Sequence, residues 1–136
     1  MNLIKLKKKI IKYTKKLNST NLSSFRSGNI SVRAKTKNTD GFFITPSGKR
    51  YSSLKPKDII FVSLSGQFDK KKVKPSTEWR FHQNIYVDKK EAKAIVHAHS
   101  TCATAISAHQ KSIPAFHYMV ALAGGKDIKC AKYSTF

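Results

Sequence analysis

Residues 75–100 read PSTEWRFHQNIYVDKKEAKAIVHAHS, and the order of elements in this stretch decides the fold class. Ser76 is expected to cap a helix, its hydroxyl accepting from backbone N–H groups that the first turn leaves unpaired. Trp79, Ile85 and Tyr86 give that helix an apolar stripe. Asp88 to Lys93 ends it. Ala94 to His99 then reads as a strand, and Ser100 as the cap of another helix running to about Ala108, with Cys102, Ala105 and Ile106 as its apolar face. On a strand, residues two apart share a face, so His97 and His99 are placed to chelate one divalent ion, with a Glu from a neighbouring element as a third ligand. The same spacing fits one hydrogen-bonded core histidine beside an exposed one. Glu78, next to the cap, is a carboxylate that near a metal serves as ligand or as general base.

Upstream, Leu3, Leu6, Ile10, Tyr13 and Leu17 recur at three or four, which predicts an amphipathic helix with a lysine-rich solvent face. Asn18 to Ser27 reads as a loop. Ile30, Val32 and Ala34 alternate with Ser31, Arg33 and Lys35, the period of a half-buried strand. Asn38 to Gly41 supplies a hairpin turn through Asp40-Gly41, and Phe42 to Thr45 returns as the second strand. Ile59 to Leu64 is a continuous apolar run suited to a buried central strand. Phe116 to Ala123 is apolar and stops at Gly124-Gly125. Helices mixed with hairpin-connected strands predict an α/β fold with a mixed or antiparallel sheet and helices on its faces.

The 136 residues suffice for one domain with a real core. The N-terminal lysines break up any secretory signal core, and no apolar run has the length of a membrane span, so a soluble, cytoplasmic protein with no membrane partner is expected. Cys102 and Cys130 lack the spacing of a zinc knuckle and the density of a disulfide framework. The formal charge of +20 comes from 27 Lys and Arg against 7 Asp and Glu. The excess is nearly all lysine, scattered beside Asn and Ile and without arginine forks or interleaved aromatics, which disfavours nucleic acid as the partner. A field of this sign also draws a small phosphorylated substrate.

Three loops have the composition of an anion cradle: Gly28-Asn29, Ser47-Gly48 and Ser76-Thr77. Each borders a regular element and carries small hydroxyl or amide groups, and Ser76-Thr77 lies at a helix N-terminus, where backbone donors and the dipole favour a phosphate. Taken singly, each also reads as an ordinary turn or cap.

These segments together resemble the class II aldolase and adducin N-terminal family. The resemblance is carried by Ser27-Gly-Asn-Ile-Ser-Val-Arg33, Ile44-Thr-Pro-Ser-Gly48, Pro75-Ser-Thr-Glu-Trp-Arg-Phe-His82 and Val96-His-Ala-His-Ser100. It continues through Ile113-Pro-Ala-Phe-His-Tyr-Met-Val120, Ala123-Gly-Gly125 and Cys130-Ala-Lys-Tyr-Ser-Thr-Phe136. The resemblance implies a three-layer α/β/α sandwich with a mostly antiparallel central sheet, assembled as a homotetramer. It implies a zinc-dependent aldolase that cleaves L-fuculose 1-phosphate to dihydroxyacetone phosphate and L-lactaldehyde. By motif, His97 and His99 become zinc ligands, and Glu78 a displaceable ligand and the acid/base. Gly28, Asn29, Ser47, Gly48, Ser76 and Thr77 become phosphate binders. Tyr118 is matched to a group that helps protonate or orient the aldehyde half, and Phe136 to an aromatic wall of the same site.

Zinc would stabilise the enediolate as a Lewis acid, and Glu78 would move the proton that creates or quenches it. The Glu-Trp-Arg-Phe-His run favours the aldolase branch over the family's ribulose-5-phosphate epimerases and methylthioribulose-phosphate dehydratases, and the presence of Glu78, His97 and His99 together argues against a non-catalytic adducin-like scaffold. In the family a third zinc histidine and further helices follow the match to Phe136. The expectation is therefore that residues 1–136 are the N-terminal portion of one such domain, with its C-terminal part missing.

Overall fold

A computed structural model describes residues 2–71 and 73–134. The chain divides into two compact units, Met1–Ala98 and His99–Phe136. In the first unit, helix α1 (Leu3–Ser19) precedes the hairpin β1 (Asn29–Thr36) and β2 (Thr39–Ile44). Two short 3-10 turns lead to β3 (Ile60–Ser63), and helix α2 (Trp79–Asp88) and β4 (Ala94–His97) complete it.

The sheet is antiparallel throughout, in the order β3-β2-β1-β4. Its two faces are covered by different helices. Ile30, Ala34 and Phe43 face α1 and pack with Leu6, Ile10, Ile11 and Leu17. Phe42, Ile44, Ile60 and Val62 face α2 and pack with Tyr86. This alternation along β2 is the period-two pattern of a strand buried on both sides. The α/β class, the antiparallel sheet and the helices on both faces agree with expectation, and the first unit alone has the three layers.

Several local expectations are corrected. The hairpin turns at Lys37-Asn38, both at positive φ, rather than at Asp40-Gly41. Gly41 is needed inside β2 instead, because a Cβ there would collide with the Val62 carbonyl and the Phe61 ring. β3 is an edge of the four-stranded sheet, not its centre; its apolar run is explained by burial on both faces. In α1, Leu3 and Tyr13 are exposed while Ile11 and Thr14 are buried. Thr14 is accommodated because its hydroxyl donates to the Ile10 carbonyl at 2.8 Å.

The largest difference concerns β1. Ser31, Arg33 and Lys35 read as the polar side of a half-buried strand, yet Ser31 is 0% exposed, and Asn29, in line with it at the start of β1, is 2% exposed. Helix α2 covers this row and supplies polar partners for it through His82 and Tyr86, one turn apart and both buried. Arg33 closes the far end of the row. Its guanidinium donates to the carbonyls of Tyr86, Lys89 and Ala92 at 2.6, 3.0 and 2.8 Å and lies 4.7 Å from the Tyr86 ring centroid, so it caps the C-terminal turn of α2.

In the second unit, helix α3 (Thr101–Ala108) is followed by a bridge between Ile113 and Ile128 and a 3-10 segment, Tyr118–Ala123. No residue of α3 is buried, so the expected apolar face of Cys102, Ala105 and Ile106 covers no core. Ser100 occupies the cap position of α3, but its hydroxyl makes no capping bond. No described helix is long and apolar enough to cross a membrane.

Candidate active site

Strand register sets the site. Asn29 of β1 pairs directly with His97 at the end of β4, so their side chains stand side by side on the α2 face. The chain enters α2 over the same place and brings Glu78 down onto both. Glu78 Oε2 lies 3.3 Å from His97 Nε2 and accepts a hydrogen bond from Asn29 Nδ2 at 2.6 Å. The Phe81 ring stands edge-on to His97, centroids 5.2 Å apart, which fixes the imidazole from the helix side.

Residues 75–100 differ from expectation at two places. Glu78, not Ser76, occupies the cap position of α2, and it makes no side-chain cap bond to its own helix. The Ser76 hydroxyl instead accepts weakly from the Glu78 N–H at 3.4 Å. Strand β4 ends at His97, so His99 is not on the strand; it is the exposed first residue of the second unit.

The three anion-cradle loops are tied to one another. Ser47 N–H donates to the Lys74 carbonyl at 3.0 Å and Ser76 N–H to the Thr45 carbonyl at 3.0 Å, a short ladder that joins Pro46 to Pro75. Thr45 N–H donates to the Ile30 carbonyl, linking this ladder to β1 beside Asn29. Arg26 reaches the Gly48 carbonyl at 2.8 Å. Residues 47–48, 76–77 and 28–29 are thus gathered in one place, although the N–H groups of Ser47 and Ser76 are spent on the ladder. The side chain of Asn29 is turned inward to Glu78 and to His82. The Tyr51 hydroxyl supports the first loop by donating to the Ser27 and Gly28 carbonyls. Burial and the nearby Glu78 charge push that phenol up to about 12, so it keeps its proton.

Could this set hold a metal? Ligand atoms at 2.0–2.2 Å from a tetrahedral zinc stand about 3.4 Å apart, and the Glu78–His97 separation of 3.3 Å fits that spacing. A carboxylate oxygen and an imidazole nitrogen are also the donor types that zinc takes. Tyr118 lies in the second unit, 77% exposed, its ring against His117. Phe136 lies outside the described residues. Sequence reasoning missed His82, Tyr86 and Ser31 as neighbours of this site; the only available signal was a histidine and a tyrosine four apart on one helix.

The profile of the class II aldolase and adducin N-terminal domain matches residues 8–136. The chain belongs to this family. The 5-methylthioribulose-1-phosphate/5-deoxyribulose-1-phosphate aldolase of Rhodospirillum rubrum is 41% identical, over 98% of this chain and 58% of its own length. The L-fuculose phosphate aldolase of Escherichia coli K12 is 42% identical, over 97% of this chain and 59% of its own. The chain thus spans about three fifths of the relatives it matches. A solved L-fuculose 1-phosphate aldolase superposes with a TM-score of 0.85 at 38% identity, covering 96% of this chain and 60% of that one.

Proposed function

We propose that this chain carries the acid/base and phosphate-binding part of a zinc-dependent aldolase acting on ketose 1-phosphates, releasing dihydroxyacetone phosphate and an aldehyde. The observation that carries the reading is the Glu78–His97 pair, set at metal-ligand spacing beside three small-residue loops tied together by hydrogen bonds. Substrates named for the relatives, L-fuculose 1-phosphate and 5-methylthioribulose or 5-deoxyribulose 1-phosphate, share the phosphate end and an apolar far end. L-Fuculose 1-phosphate, giving L-lactaldehyde, is the first choice, and the two pentulose phosphates are the alternatives.

In this reading Glu78, His97 and His99 hold zinc, with His99 supplied two residues beyond the strand. When bound, zinc would withdraw charge from the substrate ketone and so stabilise the negative charge left when the carbon–carbon bond breaks. Gly28, Asn29, Ser47, Gly48, Ser76 and Thr77 bind the phosphate, helped by the net positive charge. The Glu78 carboxyl exchanges a proton with the carbon that becomes part of dihydroxyacetone phosphate. Tyr118 and Phe136 attend the aldehyde half, and the active protein is a homotetramer.

The test is release of dihydroxyacetone phosphate, followed by coupled reduction, from zinc-loaded protein given each of the three ketose phosphates. Cleavage of at least one supports the assignment. Stoichiometric zinc with no release from any of them would overturn it.

A further inference from the structure

The buried polar row under α2 forms one continuous chain of hydrogen bonds, and its direction follows from which groups can donate. The Glu78 carboxylate only accepts, so Asn29 donates to it through Nδ2 at 2.6 Å, and the amide oxygen Oδ1 points the other way. Oδ1 meets His82 Nε2 at 2.5 Å. Because a carbonyl oxygen only accepts, Nε2 carries the hydrogen. His82 is fully buried, and burial followed by the charge of His97 pushes its pKa down to about 4, so the ring is neutral and Nδ1 is bare. Ser31 Oγ, 2.7 Å from Nδ1, therefore donates to it. The remaining lone pairs of Ser31 accept from the Tyr86 hydroxyl at 2.8 Å.

We propose that Tyr86, Ser31, His82 and Asn29 form a one-way hydrogen-bond relay that holds the Glu78 carboxylate against His97, with His82 as the positioning residue that sets the direction. The inference rests on the reading of Glu78 as ligand and acid/base. Glu78 precedes the helix and makes no side-chain bond to it, so the helix alone does not fix its three side-chain torsions. Asn29 does so, and Asn29 is itself held in one orientation by His82.

Packing alone does not call for this arrangement. On the same sheet face, Phe42, Ile44, Ile60 and Val62 fill their space without a polar atom. A matched apolar row on β1 would cost the fold little, whereas a polar row is stable only when every member is satisfied. Among the described residues, no buried side-chain polar atom lacks a partner. The polar row ends at the Glu78 carboxylate, 3.3 Å from His97.

Two measurements test the relay. Imidazole nitrogen NMR of the whole chain at pH 7 is expected to show His82 neutral with its hydrogen on Nε2; the opposite tautomer, or a charged ring, overturns the direction. The second compares His82→Leu with His82→Gln, whose amide can donate to Asn29 and accept from Ser31. By chelator competition, His82→Leu is expected to weaken zinc binding roughly tenfold, and in turnover to lower kcat roughly tenfold to a hundredfold with KM changed less than about twofold. His82→Gln recovers most of both. Equal losses in the two variants, or losses that merely follow the folded fraction, overturn the proposal.

Where His82→Leu does not fold, Ser31→Ala replaces it. That variant should mix the His82 tautomers and weaken zinc binding, and no change in either refutes the relay. A wild type that binds zinc but cleaves nothing would sink the aldolase reading alone, since tautomer and zinc affinity still decide the relay.

Discussion

Gly28→Ala separates a phosphate-binding glycine from one that lets β4 come close. Gly28 sits at φ +78, and a Cβ built there would lie 2.6 Å from both the His97 carbonyl oxygen and Ser23 Oγ. Contacts of this kind need about 3.2 Å, so one side must retreat by roughly half an ångström. Neither neighbour yields cheaply: the carbonyl belongs to the strand pair Asn29–His97, and Ser23 is buried. The left-handed conformation costs an alanine about 1–2 kcal/mol, and the overpacking adds about 1–3 kcal/mol, for a total of about 2–5 kcal/mol. Gly48→Ala is the internal control, because Gly48 has φ +70 but nothing within 4 Å of an added Cβ. It should lose only the conformational part, about 1–2 kcal/mol.

Urea denaturation followed by fluorescence of Trp79, the single tryptophan, measures both variants. Chelator competition then reads the site: pushing His97 away from Glu78 should weaken zinc binding roughly tenfold in Gly28→Ala, while Gly48→Ala stays within about twofold. Equal destabilisation of the two variants, or intact zinc affinity in Gly28→Ala, would refute the steric argument.

Three further outcomes are expected. Glu78→Gln, which keeps shape but not charge, should suppress turnover at least a hundredfold on the order expected for a lost acid/base, with phosphate binding by calorimetry changed less than about threefold; parallel losses would contradict the assignment. Arg33→Met should destabilise the protein by about 2–4 kcal/mol by orphaning the carbonyls at the end of α2, and Arg33→Lys should recover little of it because one ammonium cannot serve all three; a Met variant within about 0.5 kcal/mol of wild type in the urea experiment would show that water replaces the guanidinium. His82 takes up its proton at 6.5 when unfolded but only near about 4 when folded, so the stability present above pH 6.5 falls as the pH drops through that window. The loss amounts to about 3 kcal/mol, and His82→Gln should flatten this slope in denaturation curves taken at several pH values.

The α/β class, the hairpin, α1 and the loops 28–29, 47–48 and 76–77 were legible because each rests on local signals. These are apolar period, turn residues, and small polar residues at element ends. The motifs also carried the family, since they keep order and spacing along the chain. Two kinds of statement were not legible. One is position within the sheet: the apolar run at residues 59–64 looks the same at an edge as at the centre, and only strand order distinguishes them. The other is what covers a face. Alternation along β1 is the same whether Ser31 meets water or a helix, and His82 matches no ligand motif until α2 is laid over the strand.

The sequence by itself determined which residues could do chemistry, because Glu78, His97 and His99 are the right types beside the right loops. Tertiary structure decided how two of them meet. Strand register sets Asn29 against His97, the entry to α2 drops Glu78 onto both, and burial of β1 turns an ordinary polar row into a directed chain of hydrogen bonds. That outcome depends on contacts about fifty residues apart, for which no local pattern in the chain is a proxy.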